Sequence, residues 1–183
     1  MKIAIVWSSP NRDGLTAAAK NSLMDGLRSA GCELEELWLN GLHLEHCRAC
    51  GNGFGLCRAE GRCVIGDDFA GAYETLQHCD GVVFVTAVYW HNMTECLKAF
   101  IDRLRRMENS HGDHRLAGKP VLLTACAGGS GNGAIQCLNA MEECMRHMEL
   151  KTVERLPVIR FNRGYMLPAL AEAGRAFAAL IAQ

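Results

Sequence analysis

Three stretches of this chain carry residue types that do chemistry. The first is Ser8-Ser-Pro-Asn-Arg-Asp-Gly-Leu-Thr16, rich in hydroxyls with one Asn, one Gly and one Arg, lying between an apolar run and a helix-forming segment. Backbone N–H groups and a helix N-terminus converge in such a connection, which suits an anion and above all a phosphate. The loop has neither the Gly-Lys-Ser/Thr of a phosphate-loop NTPase nor the Gly-x-Gly-x-x-Gly of a dinucleotide fold. It suits the single phosphate of a mononucleotide such as FMN; a polar connection that binds nothing is the alternative. The second stretch holds Cys47, Cys50, Cys57 and Cys63 in the spacing C-x2-C-x6-C-x5-C. Thiolates this close together suit an iron-sulfur cluster or zinc, and four complete either site. Free or redox-active thiols are the third reading. His43 and His46 lie nearby, as added nitrogen ligands or simply solvated. The third stretch is Ala127-Gly-Gly-Ser-Gly-Asn-Gly133, whose glycines let backbone come close to a ligand.

The elements around these stretches are legible from apolar pattern. Ile3–Trp7, Val82–Thr86 and Val121–Ala125 are short β-branched runs of the kind buried on both faces of a parallel sheet. Leu34–Leu39 alternates apolar with acidic, as an edge or second strand does, and Val153–Ile159 is the last strand. Helical spacing runs through Leu15, Ala19, Leu23, Leu27 and Ala30, with Gly31 as the stop. Asp67 and Asp68 are expected to cap a helix with Phe69, Tyr73, Leu76 and Cys79 inward. Thr86–Asn92 is expected to be a loop, with Asn92 and Glu95 as a capping box for the helix of Leu97, Phe100, Ile101 and Leu104. A helix with Ile135, Leu138, Met141, Met145 and Met148 on one side follows the glycine loop, and Pro168 is expected in the first turn of the closing helix. Strand and helix thus alternate, which predicts a parallel sheet covered by helices on both faces. Ligands of such sheets bind beyond the carboxyl ends of the strands, so Ser8–Thr16, Thr86–Asn92 and Ala127–Gly133 are expected to meet at one site.

At 183 residues the chain is expected to form a single domain, residues 1–183, with a Cys/Gly-rich irregular insertion at about 40–66. A net charge of -1 implies neither nucleic acid nor an anionic membrane surface as a partner. No apolar run approaches a membrane span or a signal-peptide core, so a cytoplasmic location is expected. In that reducing setting the ten cysteines are expected to be thiols or ligands rather than disulfides. Cys32, Cys79, Cys96, Cys126, Cys137 and Cys144, scattered singly, read mostly as small buried hydrophobes.

Taken together, Ser-Ser-Pro-Asn-Arg-Asp-Gly-Leu-Thr, Val88-Tyr-Trp-His-Asn-Met-Thr94 and Leu97-Lys-Ala-Phe-Ile-Asp-Arg103 resemble the flavodoxin-like NAD(P)H-dependent FMN reductases and their relatives, the iron-sulfur flavoproteins. The resemblance implies an α/β flavodoxin-like three-layer sandwich with a five-stranded parallel sheet of order 2-1-3-4-5. By position it implies that Ser9, Asn11, Arg12, Gly14, Leu15 and Thr16 surround the FMN phosphate. Ala87, Val88, Tyr89, Trp90, His91 and Asn92 then run along the ribityl chain and ring edge. Ala127, Gly128, Gly129, Ser130, Gly131 and Asn132 approach the pyrimidine side. The family often has proline where Ala87 stands, and its compact cysteine motif has a third cysteine where this chain has Gly53. Tyr89 and Trp90 read otherwise as core aromatics at a strand end, and Arg12 as a solvated charge. The implied assembly is a homodimer or higher homo-oligomer in which a neighbouring subunit covers part of the flavin.

The leading expectation for function is an FMN-dependent oxidoreductase, with NAD(P)H as co-substrate and a flavin, quinone or other small-molecule or protein electron acceptor. No side chain is assigned acid/base catalysis; His91 is the candidate to test. One alternative is an electron-transfer protein with FMN and a [4Fe-4S] cluster on Cys47, Cys50, Cys57 and Cys63, without nicotinamide turnover. The other is a non-catalytic binding module stapled by zinc.

Overall fold

The structure, a computed structural model, describes residues 1–110 and 112–183. Its parallel strands are β1 (Lys2–Ser8), β2 (Glu33–Trp38), β3 (Gly81–Tyr89), β5 (Pro120–Ala127) and β6 (Lys151–Ile159), in the order β2-β1-β3-β5-β6. A two-residue strand, β4 (Asn92–Met93), pairs antiparallel with the end of β3, so the sheet has six strands where five were expected. Without that short addition the parallel order is the expected one.

Alternate residues of the central strands feed two apolar layers. Ile3, Ile5, Trp7, Val83, Val85 and Leu122 pack with α1 (Leu15–Ser29) and α6 (Arg163–Ile181). Ala4, Val6, Val82, Phe84, Val121 and Leu123 pack with α3 (Phe69–His78), α4 (Glu95–Ser110) and α5 (Ala134–His147). Because both faces are covered, the strands read as unbroken apolar runs rather than alternating ones. The first layer closes tightly: a Cβ on Gly26 would stand 2.0 Å from the Ala171 carbonyl oxygen, and one on Gly174 would stand 2.6 Å from that of Leu23. Glycine at both positions lets α1 and α6 touch backbone to backbone.

Three expectations of local structure are corrected. Helix α4 is capped by Thr94, whose hydroxyl accepts the Leu97 N–H at 3.3 Å, while Asn92 turns its carbonyl oxygen to the Met93 N–H. The β4 pairing carries the chain past Asn92 before the helix can begin. Only Trp90 and His91 form a turn in the stretch expected to be a loop, because β3 continues to Tyr89 and pairs with Asn92. Helix α6 begins at Arg163, five residues before Pro168. Asn162 makes this possible by accepting the Ile159 N–H and donating to the Pro157 carbonyl, which folds the chain straight off β6. Pro168 and Gly164, the residue whose helical carbonyl partner the proline removes, are both exposed, which leaves that group open to solvent.

The irregular stretch between Gly41 and Asp67 contains one helical turn, α2 (Leu56–Ala59). Asp67 and Asp68 secure it. Asp67 takes the Phe69 N–H at the start of α3, but it also accepts the Glu45 N–H and both outer nitrogens of Arg103 on α4. Asp68 accepts the His43 N–H rather than capping α3 with its side chain.

Candidate functional site

Strands β1, β3 and β5 are neighbours and run the same way, with Ser8 beside Thr86 and Ala87 beside Cys126. Their three trailing loops therefore leave one rim of the sheet, as the alternation of elements predicted.

In the first loop the Ser9 hydroxyl accepts the Asn11 N–H at 3.2 Å, and the Asn11 side chain accepts the Asp13 N–H at 3.2 Å. Two short polar side chains thus fold the loop back on itself before Gly14. Gly14 precedes α1 without any side-chain cap, which leaves the first-turn amides available to an anion. Thr16 is buried beside the Cys126 thiol at the end of β5. Burial pushes the Cys126 thiol up to about 12, with Thr16 acting weakly against it, so this sulfur is a packing group.

In the second loop Trp90 and His91 have φ of 48° and 64°. Two successive left-handed residues make the mirror-image turn that matches the twist of a hairpin, a turn usually built from Asn-Gly. Trp-His pays a steric cost there of roughly 1–2 kcal/mol per residue. The result is to hold Trp90 98% exposed, with Tyr89 40% exposed, so neither is a core aromatic.

The third loop is held against this turn by Gly133, at φ +86, where a Cβ would come within 2.6 Å of His91 Cα. Gly128 and Gly129 have nothing within 4 Å of where a side chain would start. Val88, Trp90, His91 and the glycine-rich stretch from Ala127 to Asn132 line a cavity of about 260 Å³. A second hollow of about 280 Å³ shares Gly129–Gly131 and is closed by Ile159, Arg160 and Phe161 from the end of β6. Arg160 and Phe161 had drawn no functional reading; Phe161, 87% exposed directly after a strand, was the available signal.

Trp38, at the end of β2, was also unassigned. Its indole N–H donates to the Ser9 carbonyl at 3.0 Å, and the Arg12 guanidinium lies 3.7 Å from its ring centroid. Arg12 is exposed, with its guanidinium stacked on that ring. Uncapped amides at the start of α1, a stacked arginine in the same loop, and a glycine-rich loop lining a hollow on the same rim make a donor set that fits an FMN phosphate and a flavin edge.

Residues 1–161 match the NADPH-dependent FMN reductase family. The chain belongs to that family. Among curated relatives, an iron-sulfur flavoprotein of Archaeoglobus fulgidus is 29% identical over 104 residues, which is 57% of this chain and 46% of the relative. An iron-sulfur flavoprotein of Methanocaldococcus jannaschii is 26% identical over 136 residues, 74% of this chain and 68% of the relative. The aligned stretch is thus about half the length of the first of these relatives. A solved NAD(P)H:quinone oxidoreductase from Methanothermobacter marburgensis superposes with a TM-score of 0.75 at 18% identity, covering 96% of this chain and 94% of that one. An archaeal flavodoxin superposes with a TM-score of 0.67 at 15% identity over 100% of both chains. At such identities the likeness is one of fold, and the fold is flavodoxin-like.

Cys47, Cys50, Cys57 and Cys63 are free thiols, each half-buried in the insertion. Among the described residues no three His, Cys, Asp or Glu side chains stand close enough together to hold a metal ion. Cys63 accepts a hydrogen bond from Arg103 at 3.3 Å. Of the six scattered cysteines Cys32, Cys79, Cys126 and Cys137 are buried, while Cys96 and Cys144 are half-buried. Among the described residues no helix is long and apolar enough to cross a membrane.

Proposed function

We propose that this chain is an FMN-dependent oxidoreductase that takes a hydride from NAD(P)H and passes electrons to a flavin, a quinone or an electron-carrier protein. The observation that carries the reading is that three loops leave one rim of the sheet, the first with uncapped helix amides and Arg12, the second and third lining a hollow with glycine-rich chain. Bound FMN supplies the redox chemistry, accepting a hydride and releasing electrons singly or in pairs.

The protein's own part is binding and orientation. Arg12, the Ser9 and Asn11 side chains and the amides that follow Gly14 take the phosphate; Leu15 and Thr16 contribute backbone. Ala87, Val88 and Tyr89 run beside the ribityl chain, and Trp90, His91 and Asn92 border the ring. N–H groups between Ala127 and Asn132 face the pyrimidine edge, where they favour the negative charge that reduction places there. His91 borders the ring without a proton-transfer role. The exposed Trp90, Phe161 and Tyr165 around the rim support a second copy of the chain as the cover over the ring. The insertion cysteines enter this reading as thiols.

The test is anaerobic purification followed by an absorption spectrum, with and without added FMN, and analysis for iron, sulfide and zinc. The reading requires flavin bands that NADPH or NADH bleaches. Bands that a nicotinamide leaves untouched, with an acid-labile brown shoulder, would instead mean an FMN and iron-sulfur electron carrier. A colourless zinc protein that does not take up FMN would mean a binding module.

A further inference from the structure

The geometry points to Trp38 as a positioning residue that sets the preference for a phosphorylated flavin, an inference that rests on the FMN reading above. Trp38 lies outside all three rim loops, on β2, the edge strand beside β1. Its side chain nevertheless reaches the phosphate-side loop twice. The indole N–H donates to the Ser9 carbonyl at 3.0 Å, and the ring face carries the Arg12 guanidinium at 3.7 Å. One aromatic side chain thus fixes both the backbone where the loop leaves β1 and the cation that the loop presents.

Trp38 is itself held from behind. It pairs with Trp7 across the β1–β2 ladder, and their rings stack with centroids 5.8 Å apart. The Trp7 indole N–H donates to Glu36 at 2.8 Å, and Lys20 of α1 donates to the same carboxylate oxygen at 2.9 Å while lying over the Trp7 ring. Lys20, Trp7, Trp38 and Arg12 form a column of alternating support, cation at each end and two indoles between, running from the buried side of α1 to the exposed loop. Arginine on an indole face keeps its outward N–H groups free for two oxygens of a phosphate, because the stack uses only the face of the guanidinium. An Arg12 without Trp38 would sample many rotamers and would lose that freedom only on binding, which weakens the grip on phosphate and on nothing else.

The consequence is selective. A flavin without phosphate, riboflavin, meets the hairpin and the glycine loop but not this column, so Trp38 should matter for FMN and not for riboflavin. The experiment measures dissociation constants of the protein for FMN and riboflavin by quenching of flavin fluorescence, for wild type, Trp38→Leu, Trp38→Phe and Arg12→Ala. Wild type should prefer FMN. Trp38→Leu should lose about tenfold of the FMN-over-riboflavin ratio with riboflavin affinity unchanged. Trp38→Phe, which keeps a ring under Arg12 but no N–H for Ser9, should lose part of it, and Arg12→Ala at least as much as Trp38→Leu. If Trp38→Leu does not fold, Trp38→Phe carries the same test. An unchanged ratio, or equal weakening of both flavins, would overturn the inference and leave the FMN reading standing. Wild-type protein that binds neither flavin would overturn both.

Discussion

The guanidinium of Arg103 and the carboxylate of Asp67 form a two-pronged pair, Nη1 to Oδ2 at 2.6 Å and Nη2 to Oδ1 at 2.8 Å, with the two side chains 2% and 0% exposed. This pair ties the cysteine-bearing insertion to α4, the helix that starts two residues after β4.

Burial pushes the Asp67 carboxyl up, but hydrogen bonds from Arg103 and from the Glu45 and Phe69 amides outweigh it and hold the group at about 2, against 3.8 for a free side chain. The charged form is therefore favoured in the folded protein. Its stabilisation is complete above the free carboxyl's range and is lost as pH falls from about 4 towards about 2; it amounts to about 2 kcal/mol. Asp67→Asn should flatten the acid limb of a stability-against-pH curve. Arg103→Met, which leaves a buried carboxylate without its partner, should cost roughly 3–5 kcal/mol in urea unfolding near neutral pH. Limited proteolysis of that variant should cut first between Gly41 and Asp67.

Two glycines on the same fold should respond with opposite sign. Gly26→Ala drives a methyl into the Ala171 carbonyl and should cost about 1–3 kcal/mol or more, because α1 and α6 must separate. Gly71 is exposed on α3 with nothing within 4 Å, so Gly71→Ala should stabilise by about 0.5–1 kcal/mol. Thermal unfolding of the two variants beside wild type measures both.

Much of this was legible in the sequence, for a physical reason. Strands buried on both faces must be apolar throughout, so Ile3–Trp7, Val82–Thr86 and Val121–Ala125 announced themselves, and the order of elements then placed their loops on one rim. What stayed hidden depended on distant partners. Nothing near Arg103 in sequence says that it meets Asp67, 36 residues away, and nothing near Trp38 says that it reaches Ser9. Local signals also misled: Asn92 and Glu95 have the spacing of a capping box, yet the β4 pairing moved the cap to Thr94. Pro168 marked a helix start that the Asn162 bridge had already set. The insertion is tied down by an arginine–carboxylate pair that no local pattern announced.

The strained hairpin turn should trade stability for binding. Replacing Trp90 and His91 with Asn and Gly in one variant relieves two left-handed non-glycine residues and should raise stability by about 1–2 kcal/mol, measured by chemical unfolding. The same variant should bind FMN several-fold more weakly, since the exposed indole and the imidazole beside Gly133 are gone.

Cysteine reactivity should divide by position. Burial raises the thiols of Cys126 and Cys137 to about 12, so neither should alkylate while the protein is folded. Cys47, Cys50, Cys57 and Cys63 are half-buried and should alkylate first under mildly alkaline, native conditions. Peptide mass spectrometry after a short iodoacetamide pulse reads the order directly.

The most direct test of the FMN cradle is amide hydrogen exchange of the protein with and without saturating FMN. Slowed exchange concentrated in residues 9–16, 87–92 and 127–132 is the predicted result. Protection confined to other segments, or no change in these three, would contradict it.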